Sequence, residues 1–317
     1  MQKILAHNST LVFVWHDNNG QAFPENSPAI ATVISEHGFT IDIQPNTVLT
    51  EPLIMLVSAA NKNNAINKIN IGRNSQVQII EYLMGDDVNA ENNVQSSINC
   101  AAGVQLNHCI LQQAAINTVI NQQATITINQ ARDSNVNSNI FSFGGKNSNI
   151  ELTIALQEEN ASCQINSLAY TAGTEAQNVV LKIDHLVPKC TSKSTVRGVL
   201  FDNSITDFVG HIGVHPDAKY SIADLQIKNI LCSPKAQANN RPELEIYNNE
   251  VRCSHGSSTG QMNEAALFYM RSRGLDEATA TKMLLEGFIR PVIDSCTIPT
   301  IAAFIKGMIK EREHGYQ

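Results

Sequence analysis

The sequence predicts a mainly β protein: a stack of short strands closed by a small C-terminal α-helical domain. The expectation rests on period-2 alternation that recurs between residues 75 and 255, on a scarcity of charge, and on helical periodicity after residue 262. Charged residues are 16% of the 317-residue chain and hydrophobic residues 43%. An average globular domain carries about 25% charge. Asn, Gln, Ser and Thr fill the difference, which excludes a coiled coil or a charge-rich helical bundle. The length is ample for a core without disulfide support.

Residues 1–36 carry no regular pattern and are expected to be a short irregular N-terminal segment. A β core is expected over residues 37–258. It opens with Phe39, Ile41 and Ile43 alternating with polar residues, then Leu53–Val57, punctuated by Pro45 and Pro52. Alternating runs follow at Gln76–Leu83, Val104–Ile110, Thr125–Ile128, Asn149–Leu156, Gln164–Tyr170 and Asn178–Ile183. Each reads as a strand with one buried face. Polar breaks separate them at Asp86-Asp87, Asp133-Ser134-Asn135, Gly144–Asn147 and Glu158-Glu159-Asn160, where Asn, Gly and Ser tolerate tight corners. A sandwich of hairpins favours Asn-Gly or Asp-Gly turns, and this stretch has none; Asn19-Gly20 lies before it. A parallel β-helix stacks its rungs and sets Asn above Asn, which accounts for the amide-rich composition. The β-helix is therefore preferred, with a long-looped sandwich as the alternative. A left-handed hexapeptide solenoid lacks its six-residue apolar period here.

Residues 259–317 read as the helical domain. Asn263 can cap a first helix bearing Leu267, Phe268 and Met270, with Gly274 as its stop. Asp276 can cap a second, with Ala280, Met283, Leu284 and Phe288 inward and an end before Pro291. Thr297 can cap a third, with Pro299 in its first turn. There Ile301, Phe304, Ile305, Met308 and Ile309 form an amphipathic stripe.

The net charge of −7 argues against nucleic acid or anionic lipid as the main partner. No run approaches the roughly 18 apolar residues of a membrane span, and Leu11–Trp15 is too short for an export signal. Seven scattered cysteines then read as reduced thiols of a cytoplasmic protein. Gly144-Gly145-Lys146-Asn147 lacks the first Gly and the hydroxyl of a phosphate loop, so ATP hydrolysis by this chain alone is not expected. There is no His-Glu-x-x-His or Cys-x-x-Cys, and no Gly-x-Ser-x-Gly nucleophile elbow is expected. The acidic residues Asp86-Asp87, Asp202 and Asp207 form no evident cluster of the kind a polysaccharide-cleaving β-helix enzyme needs.

The segment Glu243–Gly256 carries the most chemistry. Leu244 and Ile246 share one strand face, Asn248-Asn249 makes a corner, and Val251, Cys253 and His255 share a face of the next strand. A thiol beside an imidazole can bind a soft or borderline metal. Two ligands do not close a site, so a partner chain would supply the rest. The competing reading makes Cys253 core and His255 a satisfied histidine. His211 and His215 read as surface or turn residues. Cys100 and Cys109 can stack on neighbouring rungs or simply fill a core.

From His185 to Phe288 the sequence resembles the SufB/SufD family of iron–sulfur cluster assembly scaffolds. The ordered matches include His185, Pro188 and Ser192; Phe208, Gly210, Ile212, Val214 and Ala218; Asn229-Ile-Leu, Ser233 and Ala236; Pro242-Glu-Leu-Glu-Ile-Tyr247; Cys253-Ser-His-Gly256; Leu267-Phe-Tyr269; and Arg271-Ser-Arg-Gly274. The Cys-Ser-His-Gly motif is that of the SufD type. The SufB type has Glu-His-Glu there, and its cluster-building cysteine is replaced near Ile227. The resemblance implies a right-handed parallel β-helix and a helical C-terminal domain. It implies a non-enzymatic cytoplasmic scaffold working with a SufB-like partner and a SufC-like ABC-type ATPase, and a homodimer when isolated. It places His255 and Cys253 at a transient iron–sulfur cluster near the partner interface. It assigns ATPase docking to the helical domain, for which Phe268, Phe288, Phe304 and Ile305 are the candidates. The family's longer N-terminal helical region looks shortened or lost. The rival readings are a homo-oligomeric structural solenoid and a polysaccharide-active enzyme.

Overall fold

A computed structural model describes residues 12–16, 19–23, 30–35, 38–59, 62–85, 91–114 and 121–314; the expected break at Asp86-Asp87 lies outside them. The strands are β1 (Val12–His16), β2 (Asn19–Phe23), β3 (Ile30–Ser35), β4 (Gly38–Ile43), β5 (Leu53–Ala59), β6 (Lys62–Ile71), β7 (Gln76–Gly85), β8 (Glu91–Cys100), β9 (Gln105–Ala114) and β10 (Asn121–Gln130). They continue as β11 (Asn135–Phe143), β12 (Asn147–Leu156), β13 (Ser162–Thr171), β14 (Ala176–His185), β15 (Thr191–Leu200), β16 (Ile205–Val214), β17 (Ile222–Leu231), β18 (Gln237–Ile246) and β19 (Arg252–Gln261). Three helices follow: α1 (Glu264–Ser272), α2 (Glu277–Asp294) and α3 (Pro299–His314).

From β4 onward, even strands form one sheet and odd strands the other. Paired neighbours such as β10–β12 and β11–β13 are parallel and in register. The chain crosses from sheet to sheet at every turn, which is the winding of a parallel β-helix and excludes the hairpin sandwich. The β1–β2 and β3–β4 pairs are antiparallel. Of these, β1, β2 and β3 lie in the stretch whose sequence has no pattern. β1 also pairs in parallel with β5, so a sheet edge supplies the order that local periodicity does not.

The amide-rich composition has two structural uses. One is a ladder: Gln157 donates to Asn129, Asn129 to Asn99, Asn99 to Asn70, and Asn70 to Asp42, at 3.2, 2.9, 2.9 and 2.6 Å. Each rung offers the next a donor and an acceptor. The other is a corner repeated on successive rungs in the left-handed conformation, at Asn46, Asn74, Gly103, Asp133, Asn160, Lys189 and Tyr220. Asn, Asp and Gly adopt that conformation at least cost. At Gly103 a Cβ would also lie 2.5 Å from Asn74 Oδ1.

Alternation divides the burial. Lumen-facing residues such as Ile79, Ile126, Leu152, Ile183 and Leu225 build one core between the sheets. The opposite face of the odd-strand sheet is apolar too, with Ile80, Leu111, Phe141, Leu168 and Tyr170 buried there. The helices cover it. Leu285, Ile289, Val292 and Ile293 of α2 and Ile301, Ile305, Met308 and Ile309 of α3 complete a second core. The helices therefore lie along the flank of the β-helix. α2 differs from its expectation in two ways. It runs through Pro291, and its buried face is Leu285 and Ile289 while Met283 is exposed. Burial of Val292 and Ile293 against the sheet offsets the hydrogen bond that Pro291 removes.

Candidate functional site at the open end of the solenoid

β18 and β19 end their sheets. Each has a strand on one side only among the described residues, so two backbone edges face solvent. β19 pairs in register with β17, setting Cys253 beside Ala223 and His255 beside Leu225. Both partners are buried in the lumen core. Following the ladders back, Cys253 tops the column Val136, Cys163, Ser192, Ala223, and His255 tops the column Ser138, Ile165, Ser194, Leu225. The shared face expected for Cys253 and His255 is therefore the lumen face of the terminal rung. His255 is exposed and Cys253 half-buried because no rung follows.

Partial burial pushes the Cys253 thiol up, opposed by a hydrogen bond with the Ala223 backbone. Farther along the same strands, six residues on, Asn229 donates to Asn240 at 2.9 Å and Asn240 to Thr259 at 3.1 Å, tying the two sheets together near their last rung. Tyr220, Ile222, Ile246 and Tyr247 form an exposed apolar rim. No group of three or more His, Cys, Asp or Glu residues is poised for a metal among the described residues.

His211, in β16, lies 3.5 Å from Glu243, and His215 falls just past the strand, so the two do not share a strand face. Cys100 and Cys109 do not stack either: Cys100 is in the lumen core and Cys109 in the second core, because they lie in different sheets with opposite facing. Contrary to the expectation that the chain has no Gly-x-Ser-x-Gly nucleophile elbow, Gly256-Ser257-Ser258-Thr259-Gly260 has that spelling. It lies inside β19 and not at the strand-to-helix turn such an elbow requires. Of the docking candidates, Phe268 is 74% exposed. Phe288 is half-buried beneath the Arg197 guanidinium. Phe304 packs edge-on against Tyr82, and Ile305 is fully buried.

Two buried carboxylate contacts have no counterpart among the sequence expectations. Within the lumen, Glu81 meets His108 at 3.0 Å and accepts from Ser96, and His108 bonds Ser138 at 2.9 Å. The signal was available: Glu81 occupies the apolar parity of Val77, Ile79 and Leu83. The second pair, Arg312–Glu175 at 3.0 Å, fastens the end of α3 to the sheet and has no local signal.

A family model described as SUF system FeS cluster assembly, SufBD core domain, matches residues 55–288. The iron–sulfur cluster assembly protein SufD of Escherichia coli is 27% identical over 221 residues, 69% of this chain and 52% of that protein. A SufBD family protein of Synechocystis is 23% identical over 283 residues, covering 86% and 59%. One from Mycobacterium leprae is 31% identical over 129 residues, covering 38% and 33%. The chain thus spans little more than half the length of the first two relatives. The matched domain covers most of the chain, takes in the strand that presents Cys253 and His255 and ends within α2, and the chain belongs to the SufBD family of iron–sulfur cluster assembly proteins, in a SufD-like form.

Proposed function

We propose that this chain is a scaffold subunit for iron–sulfur cluster assembly whose open solenoid end seats a SufB-like partner. The observation that carries the reading is the terminal rung. It sets two free strand edges, an apolar rim and a thiol–imidazole pair on one surface. Free edges pair readily with another chain, and an apolar rim marks a protein contact. Cys253 and His255 then supply part of a ligand set that the partner completes, and the cluster is transient cargo. Cys253 becomes a better ligand as its thiolate is stabilised by metal. In the absence of the partner, the same edges pair with a second copy, giving a homodimer.

A SufC-like ABC-type ATPase in the cytoplasm would hydrolyse ATP and dock on the helical segment, this chain making no catalytic contribution. Exposure favours Phe268 on α1 as the contact, with Phe288 at its margin. Phe304 and Ile305 hold the segment in place from beneath. Nucleotide-driven movement of the docked subunits would pass through α2 and α3 to the sheet and onward to the terminal rung.

The test is anaerobic reconstitution of the complex co-expressed with the partner scaffold and ATPase, comparing wild type with His255→Ala. Bound iron and sulfide are measured, and complex size is checked. Loss of cluster from an intact complex supports the assignment. Normal loading refutes a ligand role for His255. Recovery of the chain with itself alone favours a homo-oligomeric solenoid.

A further inference from the structure

The turn between α2 and α3 brings two cysteines together at the surface of the odd-strand sheet. Cys109 lies on the helix-facing side of β9 and is fully buried; Cys296 follows α2 and is 6% exposed. The intervening contacts fix their approach. Asn137 donates to the Ser295 carbonyl at 3.0 Å, and the Ser295 hydroxyl bonds Asn139 at 3.2 Å. Asn139 is the ladder neighbour of Cys109, so the residue after Ser295 is delivered onto Cys109. Both side chains lie in the second core, and the two thiols are close enough to influence each other's ionisation. The proposed cluster site, five strands away along the ladder in β19, uses neither.

We propose that Cys109 and Cys296 form a dithiol–disulfide modification site that takes a two-electron oxidant of the hydroperoxide class and, once closed, clamps the helical segment to the β-helix. Cys296 is the attacking sulfur. It is the less enclosed of the two, and its interaction with the Cys109 thiol holds it below the ordinary range, while burial pushes Cys109 up. The Cys296 thiolate attacks the peroxide O–O bond and becomes a sulfenic acid, releasing one water. The Cys109 sulfur then displaces the sulfenic hydroxyl, which leaves with the thiol proton as a second water. The balance is two thiols and one hydrogen peroxide to one disulfide and two waters. The other neighbouring thiols, Cys163 and Cys190, sit in the lumen core, where burial raises both.

The experiment treats the reduced full-length chain with hydrogen peroxide, quenches it, and counts thiols in denaturant. The seven thiols fall to five, the intact mass drops by two hydrogens, and digestion yields one peptide pair joined through Cys109 and Cys296. Dithiothreitol restores all seven. Amide exchange in α2 and α3 slows at least tenfold in the oxidised form. Cys296→Ala keeps its remaining thiols under the same treatment. Retention of seven thiols, sulfinic acid in place of a disulfide, or a cross-link mapping to Cys232 or Cys253 overturns the proposal. Unchanged exchange in α2 and α3 overturns the clamp. Should Cys296→Ala fail to fold, the wild-type peptide map decides alone.

Discussion

Ile305 separates packing from docking in the helical segment. Its side chain is fully buried among Ile301, Met308 and the sheet residues of the second core. Truncation to Ala removes three carbons, worth about 0.8 kcal/mol each in transfer. The cavity left behind brings the expected loss to about 3 kcal/mol, inside the roughly 2–5 kcal/mol range of buried Ile→Ala changes. A solenoid transmits stability mainly between neighbours, so this loss falls on the attachment of α3 and not on global unfolding. Hydrogen exchange reads it directly. Opening of α3 becomes easier by about 3 kcal/mol, and its slow amides exchange on the order of 100-fold faster, while β6 to β14 are unchanged. Phe268→Ala, on an exposed side chain, shifts stability by about 0.5 kcal/mol or less. If Ile305→Ala leaves α3 exchange at the wild-type rate, the second core is not what holds the helix. If Phe268→Ala accelerates it, exposure has been misjudged as independence.

Three further outcomes are expected. His185 is buried, bonds Ser192 at 2.8 Å, and burial holds its imidazole down to about 4. The unfolded chain therefore takes up the proton first, and stability falls as pH drops from about 6.5 towards 4, by on the order of 3 kcal/mol in all; urea titrations should lose this slope in His185→Gln. Arg312→Met leaves Glu175 buried without its partner and should cost about 3–5 kcal/mol, most of it recovered in the double variant with Glu175→Leu, as read by denaturant midpoints. Tyr220 occupies a left-handed corner with an exposed ring, so Tyr220→Gly should raise the midpoint by about 0.5–1 kcal/mol, the left-handed penalty exceeding the entropy cost of glycine.

The sequence makes the architecture legible where polarity alternates, as at Asn147–Leu156 and Ala176–His185. It hides strands such as Glu91–Cys100 and Asn135–Phe143, whose lumen positions include Ser96 and Ser138. Polar residues satisfied inside the lumen erase the apolar rhythm that a strand search follows. Cys253 and His255 are legible because i, i+2 parity is local. Their exposure is not, since it depends on the absence of a following rung. The role of Ile305 is half legible. Its stripe reads correctly as packing, yet the surface it packs on lies more than a hundred residues earlier in β5 to β13, and no local pattern points there.

The second core also sets how the molecule can bend. The apolar flank under the helices runs over β5, β7, β9, β11, β13 and β15, about 24 Å at a strand spacing near 4.8 Å. α3, with 16 residues, is about 24 Å long. The helices thus act as a splint along the middle of the solenoid, resisting any shear between those rungs. Beyond β15 no helix residue belongs to the second core's strand contacts save at the margin near Ile230 and Cys232. Elastic compliance is therefore expected to concentrate in β16 to β19, the strands outside the splint, which include the rung bearing Cys253 and His255.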